Sequence, residues 1–196
     1  MPFNVIPYIP QSITVHLAPA GQEAENVTVS FPDYIKNVAS SEIYPTWPEE
    51  ALRANILAQI SFALNRVYTE YYRSRGYDFD ITSSPVNDQK FIKGRSTFEN
   101  VDRLVDELFT SYIRRQGYVE PLSARFCNGT TSTCDGLSQW GSEALARQGY
   151  DAMAILRYYY GDDIELVTSA PVRDVGTSYP GYPLRSGDSG EYVVVL

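Results

Sequence analysis

Glu42 is the residue whose neighbours best suit acid–base work. It stands in SEIYPTWPEEALRA (residues 41–54), between Ser41 and Ile43, with Tyr44 and Trp47 following and an apolar helical run beyond. An apolar, aromatic setting disfavours the ionised carboxyl and raises its pKa, which is what a general acid at neutral pH requires. Flat rings with a polar edge suit stacking on sugars, and they serve equally as half-buried packing. Read from the residues alone, Glu42 is better explained as a cap or ion-pair partner near the helix start. Glu49 and Glu50 read as helix-start charges favoured by the dipole. Few other groups offer chemistry. The single histidine, His16, falls on the polar side of an alternating run and is expected to face solvent. Cys127 and Cys134 share a turn-rich stretch, FCNGTTSTCDG, whose spacing permits a small disulfide loop. With no further cysteine and no nearby histidine, a metal site is not expected.

These residues sit in a chain of 196, the size of one globular domain, or of one domain with part of another. At 43% hydrophobic and 20% charged it has the composition of a folded protein with a real core. A net charge of −8, with no basic face gathered by Lys and Arg, argues against nucleic acid as a partner. No apolar stretch is long enough for a membrane span. The opening MPFNVIPYIPQ has neither the basic region nor the apolar run of a secretory signal peptide. Sixteen tyrosines are unusual, and most of them are expected to pack rather than bind.

Periodicity predicts the elements that must hold Glu42. SITVHLA and VTVSF alternate, predicting a hairpin over residues 12–31. Thr46 with Glu49 fits a capping box, opening a mostly buried helix over 48–74 that Gly76 stops. Residues 77–96 read as irregular, with a short strand possible at either end. Val101, Leu104, Val105, Leu108, Tyr112 and Ile113 predict a second helix over 97–115, ended by Gly117. LSQWGSEALARQG and YDAMAILRYYYG predict two short helices, and DIELV a last strand. The sum is an α+β domain over residues 1–170. A Gly-, Pro- and Ser-rich linker over 171–183 follows, and residues 184–196 read as the start of a truncated second module.

Two stretches carry a resemblance. FPDYIKNVASSEIYPTWPEEALRANILAQISFAL resembles the core of the stage II sporulation protein D family, amidase-enhancer and lytic transglycosylase domains that act on peptidoglycan. In that pattern an extended DYI segment precedes a small-small-Glu stretch, then Pro, an aromatic, and a Glu-Ala-Leu helix. Asp33-Tyr34-Ile35, Ser41-Glu42, Pro45, Trp47 and Glu50-Ala51-Leu52 follow it in order. Gly136-Leu137-Ser138-Gln139-Trp140-Gly141 is similar to the family's "SQYG" stretch, and Tyr158-Tyr159-Tyr160-Gly161 to a tyrosine-rich segment near its end, so the likeness runs over residues 12–170. Leu184 to Val193 resembles the opening of the type 1 peptidoglycan-binding domain, an arrangement similar to that of clostridial spore cortex-lytic enzymes.

The resemblance implies a catalytic Glu42, with Tyr44, Trp47, Ser138, Gln139 and Trp140 binding substrate. It implies peptidoglycan glycan strands as partner, no cofactor, and a place in the cell wall or spore. Departures accompany it. Ile60 stands where the family's long helix usually carries an arginine, and Cys134-Asp135 replaces a Gly-His pair before Gly136. TSSPVNDQKF, aligned with a zinc-binding loop of some members, has neither Cys nor His, so no metal is implied. A non-catalytic glycan-binding or amidase-enhancing module is the alternative that these departures favour.

Overall fold

Alternation in the first hairpin is realised as expected. The structure, a computed structural model, describes residues 6–174. A two-residue strand β1 (Ile9–Pro10) leads into β2 (Ser12–His16), which pairs antiparallel with β3 (Asn26–Ser30), Ser12 opposite Ser30 and His16 opposite Asn26. Ile13 and Val15 point into the core and are fully buried.

The chain then departs from expectation. Phe31–Glu42 is a helix, α1, where an extended DYI segment was expected. The Ser30 hydroxyl accepts from the Asp33 amide at 3.2 Å, Pro32 fills a first-turn position that needs no donor, and Asp33 sits at the positive helix end. Phe31, Tyr34, Ile35, Val38 and Ala39 form the buried stripe. Glu42 is therefore the last residue of α1 rather than part of the approach to the next helix.

That next helix, α2, runs from Glu49 to Tyr68. The expected capping box does not form: Pro48 is the N-cap, and Glu49 instead binds Arg53 and Arg103. The helix stops short of residue 74 because Glu70 adopts a left-handed φ of 51°, after which Arg73–Arg75 make one tight 3-10 turn. Nearly every side chain of α2 is buried. One side packs against α1 and β2; the other holds Ala54, Leu57 and Ala58 against the C-terminal helices.

Strand β4 (Ile81–Thr82) adds to β2 in parallel, making β2 the central strand of three. This overturns the solvent-facing reading of His16, which is only 6% exposed. Its ring stacks on Phe79 at 4.4 Å, with Nδ1 2.6 Å from Asn26 Oδ1 and Nε2 2.7 Å from the Gln22 backbone carbonyl.

The second predicted helix is also shorter. Here α3 spans Glu99–Leu108, and Tyr112–Arg115 form a strand, β5. Tyr112 and Ile113 keep helical spacing by coincidence. The Ile113 amide donates to Ser61 Oγ at 2.8 Å, and both residues are buried beside α2, so tertiary packing decides their conformation. Two short strands follow, β6 (Phe126–Cys127) and β7 (Leu137–Ser138), paired in parallel. Then come α4 (Gln139–Arg147) and α5 (Ala152–Tyr160), and β8 (Ile164–Val167) pairs antiparallel with β5. Last, β9 (Val172–Arg173) pairs with β1, so packing of the domain reaches past residue 170. The fold is α+β. The stretch 184–196, expected to open a peptidoglycan-binding module, lies outside the described residues.

Candidate active site

Glu42 acquires its surroundings from three parts of the chain. At the C-terminal end of α1 it meets the negative end of the helix dipole, which disfavours a carboxylate. The Lys90 amide donates to Glu42 Oε2 at 3.0 Å, and the Gln139 side-chain amide approaches Oε1 at 3.4 Å. Burial pushes the Glu42 carboxyl above its ordinary pKa. These two hydrogen bonds and the Lys90 charge pull in the other direction without cancelling it. Among the described residues no Lys or Arg side chain forms an ion pair with Glu42, which lies at the end of α1 and not at a helix start.

Each contact is itself held. The segment 83–92 carries Lys90 and is fastened by Asp88, which accepts from Arg66 Nε at 2.7 Å, the Tyr72 hydroxyl at 2.6 Å and the Thr82 amide at 3.0 Å. Gln89 donates to the Gln59 carbonyl and accepts from the Tyr34 hydroxyl. Asn37, one turn and a half before Glu42, exchanges two hydrogen bonds with the Ile92 backbone. On the other side Asn55 of α2 donates to Ser142 Oγ, which donates to the Gln139 carbonyl, fixing the first turn of α4. A Cβ at Gly141 would run into the Tyr159 hydroxyl and Ser138 Oγ, so a larger residue there would displace those side chains.

Two cavities meet at Glu42. One, about 450 Å³, is lined by Glu42 with Asp88, Lys90, Arg125, Phe126 and the loop that the Cys127–Cys134 disulfide closes. The other, about 390 Å³, is lined by Glu42 with Tyr44, Trp47, Arg95, Phe98 and Trp140. Asn128 and Gln139 border both, so the two form one groove with the carboxyl at its waist. In the second cavity Tyr44, Trp47 and Trp140 make a triangle with ring centroids 4.9–5.9 Å apart. Tyr44 is 58% and Trp140 40% exposed, whereas Trp47 is 7% exposed and supports the other two from below.

Of the residues expected at a site, Glu42, Tyr44, Trp47, Gln139 and Trp140 converge on this groove. Ser138 lines neither cavity; its hydroxyl caps α4, accepting from the Gly141 amide at 3.0 Å. Lys90, Arg95, Arg125 and Asn128 were not anticipated. They come from irregular segments whose sequence carries no periodic signal, and only the turn-forming character of Asn128-Gly129 pointed to a loop. Asn128 Oδ1 accepts from the Thr130, Thr131 and Ser132 amides, and its carbonyl accepts from the Trp140 amide at 3.0 Å. The disulfide loop is thereby tied to the aromatic wall. Among the described residues no group of three His, Cys, Asp or Glu side chains is arranged to hold a metal ion, and no helix is long and apolar enough to cross a membrane.

Comparison with curated proteins finds no match. Residues 20–111 match the family model described as SpoIID: Stage II sporulation protein. That span holds α1, α2 and α3 with Glu42, Tyr44 and Trp47, while Ser138, Gln139 and Trp140 lie beyond it. The match includes the helix ending in Glu42, so this part of the chain is similar to that family.

Proposed function

We propose that the groove cleaves the glycan strands of peptidoglycan as a lytic transglycosylase, with Glu42 as its single acid and base, in a sporulation-related role at the cell wall or spore. The observation that carries this reading is the Glu42 carboxyl at the waist of an open groove, raised in pKa by burial and, among the described residues, in no ion pair with a cation. Protonated Glu42 donates to the glycosidic oxygen between N-acetylmuramic acid and N-acetylglucosamine, and the bond from that oxygen to C1 breaks. The Lys90 amide and Gln139 side chain stabilise the carboxylate so formed. The 6-hydroxyl of the same muramyl sugar attacks C1 while its proton returns to Glu42. The products are a 1,6-anhydro end and a free 4-hydroxyl, with no water consumed. Tyr44 and Trp140 offer their exposed faces to sugar rings, with Trp47 behind them.

A single carboxyl suffices for this chemistry, whereas hydrolysis ordinarily needs two. Asp88, the other acid lining the groove, is occupied by Arg66, Tyr72 and Thr82. The test is digestion of purified peptidoglycan and of cortex muropeptides by the wild type and by Glu42→Gln, with products read by mass spectrometry. Anhydro ends from the wild type alone are expected; reducing ends would make the protein a hydrolase. A second reading, a non-catalytic glycan-binding or amidase-enhancing module, draws on the fully buried Ile60, which leaves α2 without a cation at that position. Strand binding without cleavage by either protein would establish it.

A further inference from the structure

The groove has a charge opposite to that of the protein. The chain carries a net charge of −8, yet the residues lining the two cavities include three cations: Lys90 and Arg125 in one, Arg95 in the other. The acids there are Glu42, whose charge is disfavoured, and Asp88, which Arg66 neutralises at 2.7 Å. Elsewhere Lys36, Arg53, Arg73 and Arg114 are each paired with a carboxylate. Among the described residues Lys90, Arg95 and Arg125 make no ion pair. Arg95 Nε donates to the Ser96 carbonyl at 3.1 Å and Nη1 reaches Ser41 Oγ at 3.4 Å, leaving the rest of its fork to the cavity. In a chain with more acids than bases, three unpaired cations flanking one half-buried carboxyl form a local positive field suited to an anionic ligand.

We infer that the groove selects an acidic glycan, with Lys90 and Arg125 on one side of Glu42 and Arg95 on the other receiving carboxylates carried by the strand. The inference rests on reading the groove as a glycan site, and it adds the substituent that the site recognises. Arg95 presents a planar fork matched to a carboxylate, and Lys90 and Arg125 are exposed charges that act at longer range. A muramyl strand supplies such groups in two ways: the lactyl carboxylate when it is free, or the carboxylates of a stem peptide when the lactyl group is amide-linked.

The experiment is a binding titration of Glu42→Gln, which cannot turn over, followed by tryptophan fluorescence. Three probes of equal length are compared: a neutral N-acetylglucosamine oligomer, an alternating strand with free lactyl groups, and that strand carrying stem peptides. At an ionic strength of about 0.01 M the acidic strands should bind about tenfold tighter than the neutral one, and the difference should collapse near 1 M salt. Adding Lys90→Gln, Arg95→Gln and Arg125→Gln together should abolish the preference and leave affinity for the neutral oligomer unchanged, a result that a merely structural role would not give. Preference for the free-lactyl strand alone assigns the lactyl carboxylate; preference for the peptide-bearing strand alone assigns the stem peptide. Equal affinities, a preference that survives in the triple variant, or no binding to any probe would overturn the inference. Acidic preference without cleavage by the wild type would remove the transglycosylase and keep the acidic groove; cleavage with equal affinities would do the reverse.

Discussion

Replacing Asp88 by Asn tests whether the loop behind Glu42 is held as described. The Asp88 side chain is buried, and four donors converge on it: Arg66 Nε on one oxygen, the Tyr72 hydroxyl and the Thr82 amide and hydroxyl on the other. Asparagine offers one oxygen and one amide group. Turned one way, its NH2 opposes the Arg66 guanidinium; turned the other, it opposes three donors. Either way a buried cation loses its counter-charge, and breaking such a pair costs about 3–5 kcal/mol. For a protein of this size that lowers Tm by roughly 6–20 °C, at about 2–4 °C per kcal/mol. Denaturant unfolding followed by circular dichroism measures it. Arg66→Met in the same chain removes the stranded charge, so the double variant should lose less than the sum of the singles. There is a second readout at the site. The loop carries the Lys90 amide, and loosening it removes a hydrogen bond that favours the charged form of Glu42. The Glu42 pKa should then rise further, and the fall of activity with increasing pH should move to higher pH. A loss below about 1 kcal/mol, or additive singles, would refute the account.

Other outcomes follow from the same geometry. Because the folded-state pKa of Glu42 is raised, its protonated form is the stable one: its contribution is intact below the unfolded pKa and lost as pH rises through the folded value. Glu42→Gln should therefore be more stable than the wild type at neutral pH and indistinguishable at acid pH, as measured by thermal unfolding across pH. Reducing the Cys127–Cys134 disulfide, which closes a loop with a sequence separation of 7, should cost about 2.5 kcal/mol in a chain-entropy account. It should also weaken glycan binding, because that loop lines both cavities through Asn128; equal affinity in reductant would count against the loop as a groove wall. Trp47→Ala removes a buried ring and should cost about 3–5 kcal/mol. The half-exposed Trp140→Ala should cost less than about 1 kcal/mol in stability yet lower glycan affinity severalfold, as read by calorimetry.

What the sequence displayed, it displayed through local periodicity. The first hairpin, the two C-terminal helices and the burial of α2 could all be read from apolar spacing. The signal for α1 was present too: Ser30 three residues before Asp33, then apolar residues at 31, 34, 35 and 38. It was masked because DYI was read as extended. The misreading of His16 has a different cause. Alternation gave its side of the strand correctly, but whether that side meets water depends on Phe79, which folds over it from a distant segment. The site was half legible for the same reason. Glu42, Tyr44 and Trp47 lie within a few positions of one another, but the two hydrogen-bond partners of Glu42 lie 48 and 97 positions away. Nothing in a one-dimensional pattern joins Lys90, Arg95 and Arg125 to them.

The position of α2 has a consequence for how the groove behaves. The helix carries one packed cluster on the side of α1 and β2, and a second on the side of α4 and α5. Glu42 ends α1 on the first side and Gln139 opens α4 on the second, so the groove follows the seam between the elements packed on the two sides of α2. Across that seam the Gln139 side chain faces Glu42 at 3.4 Å, long for a hydrogen bond. A strand settling into the seam would strip water from the carboxyl as it was about to give up its proton.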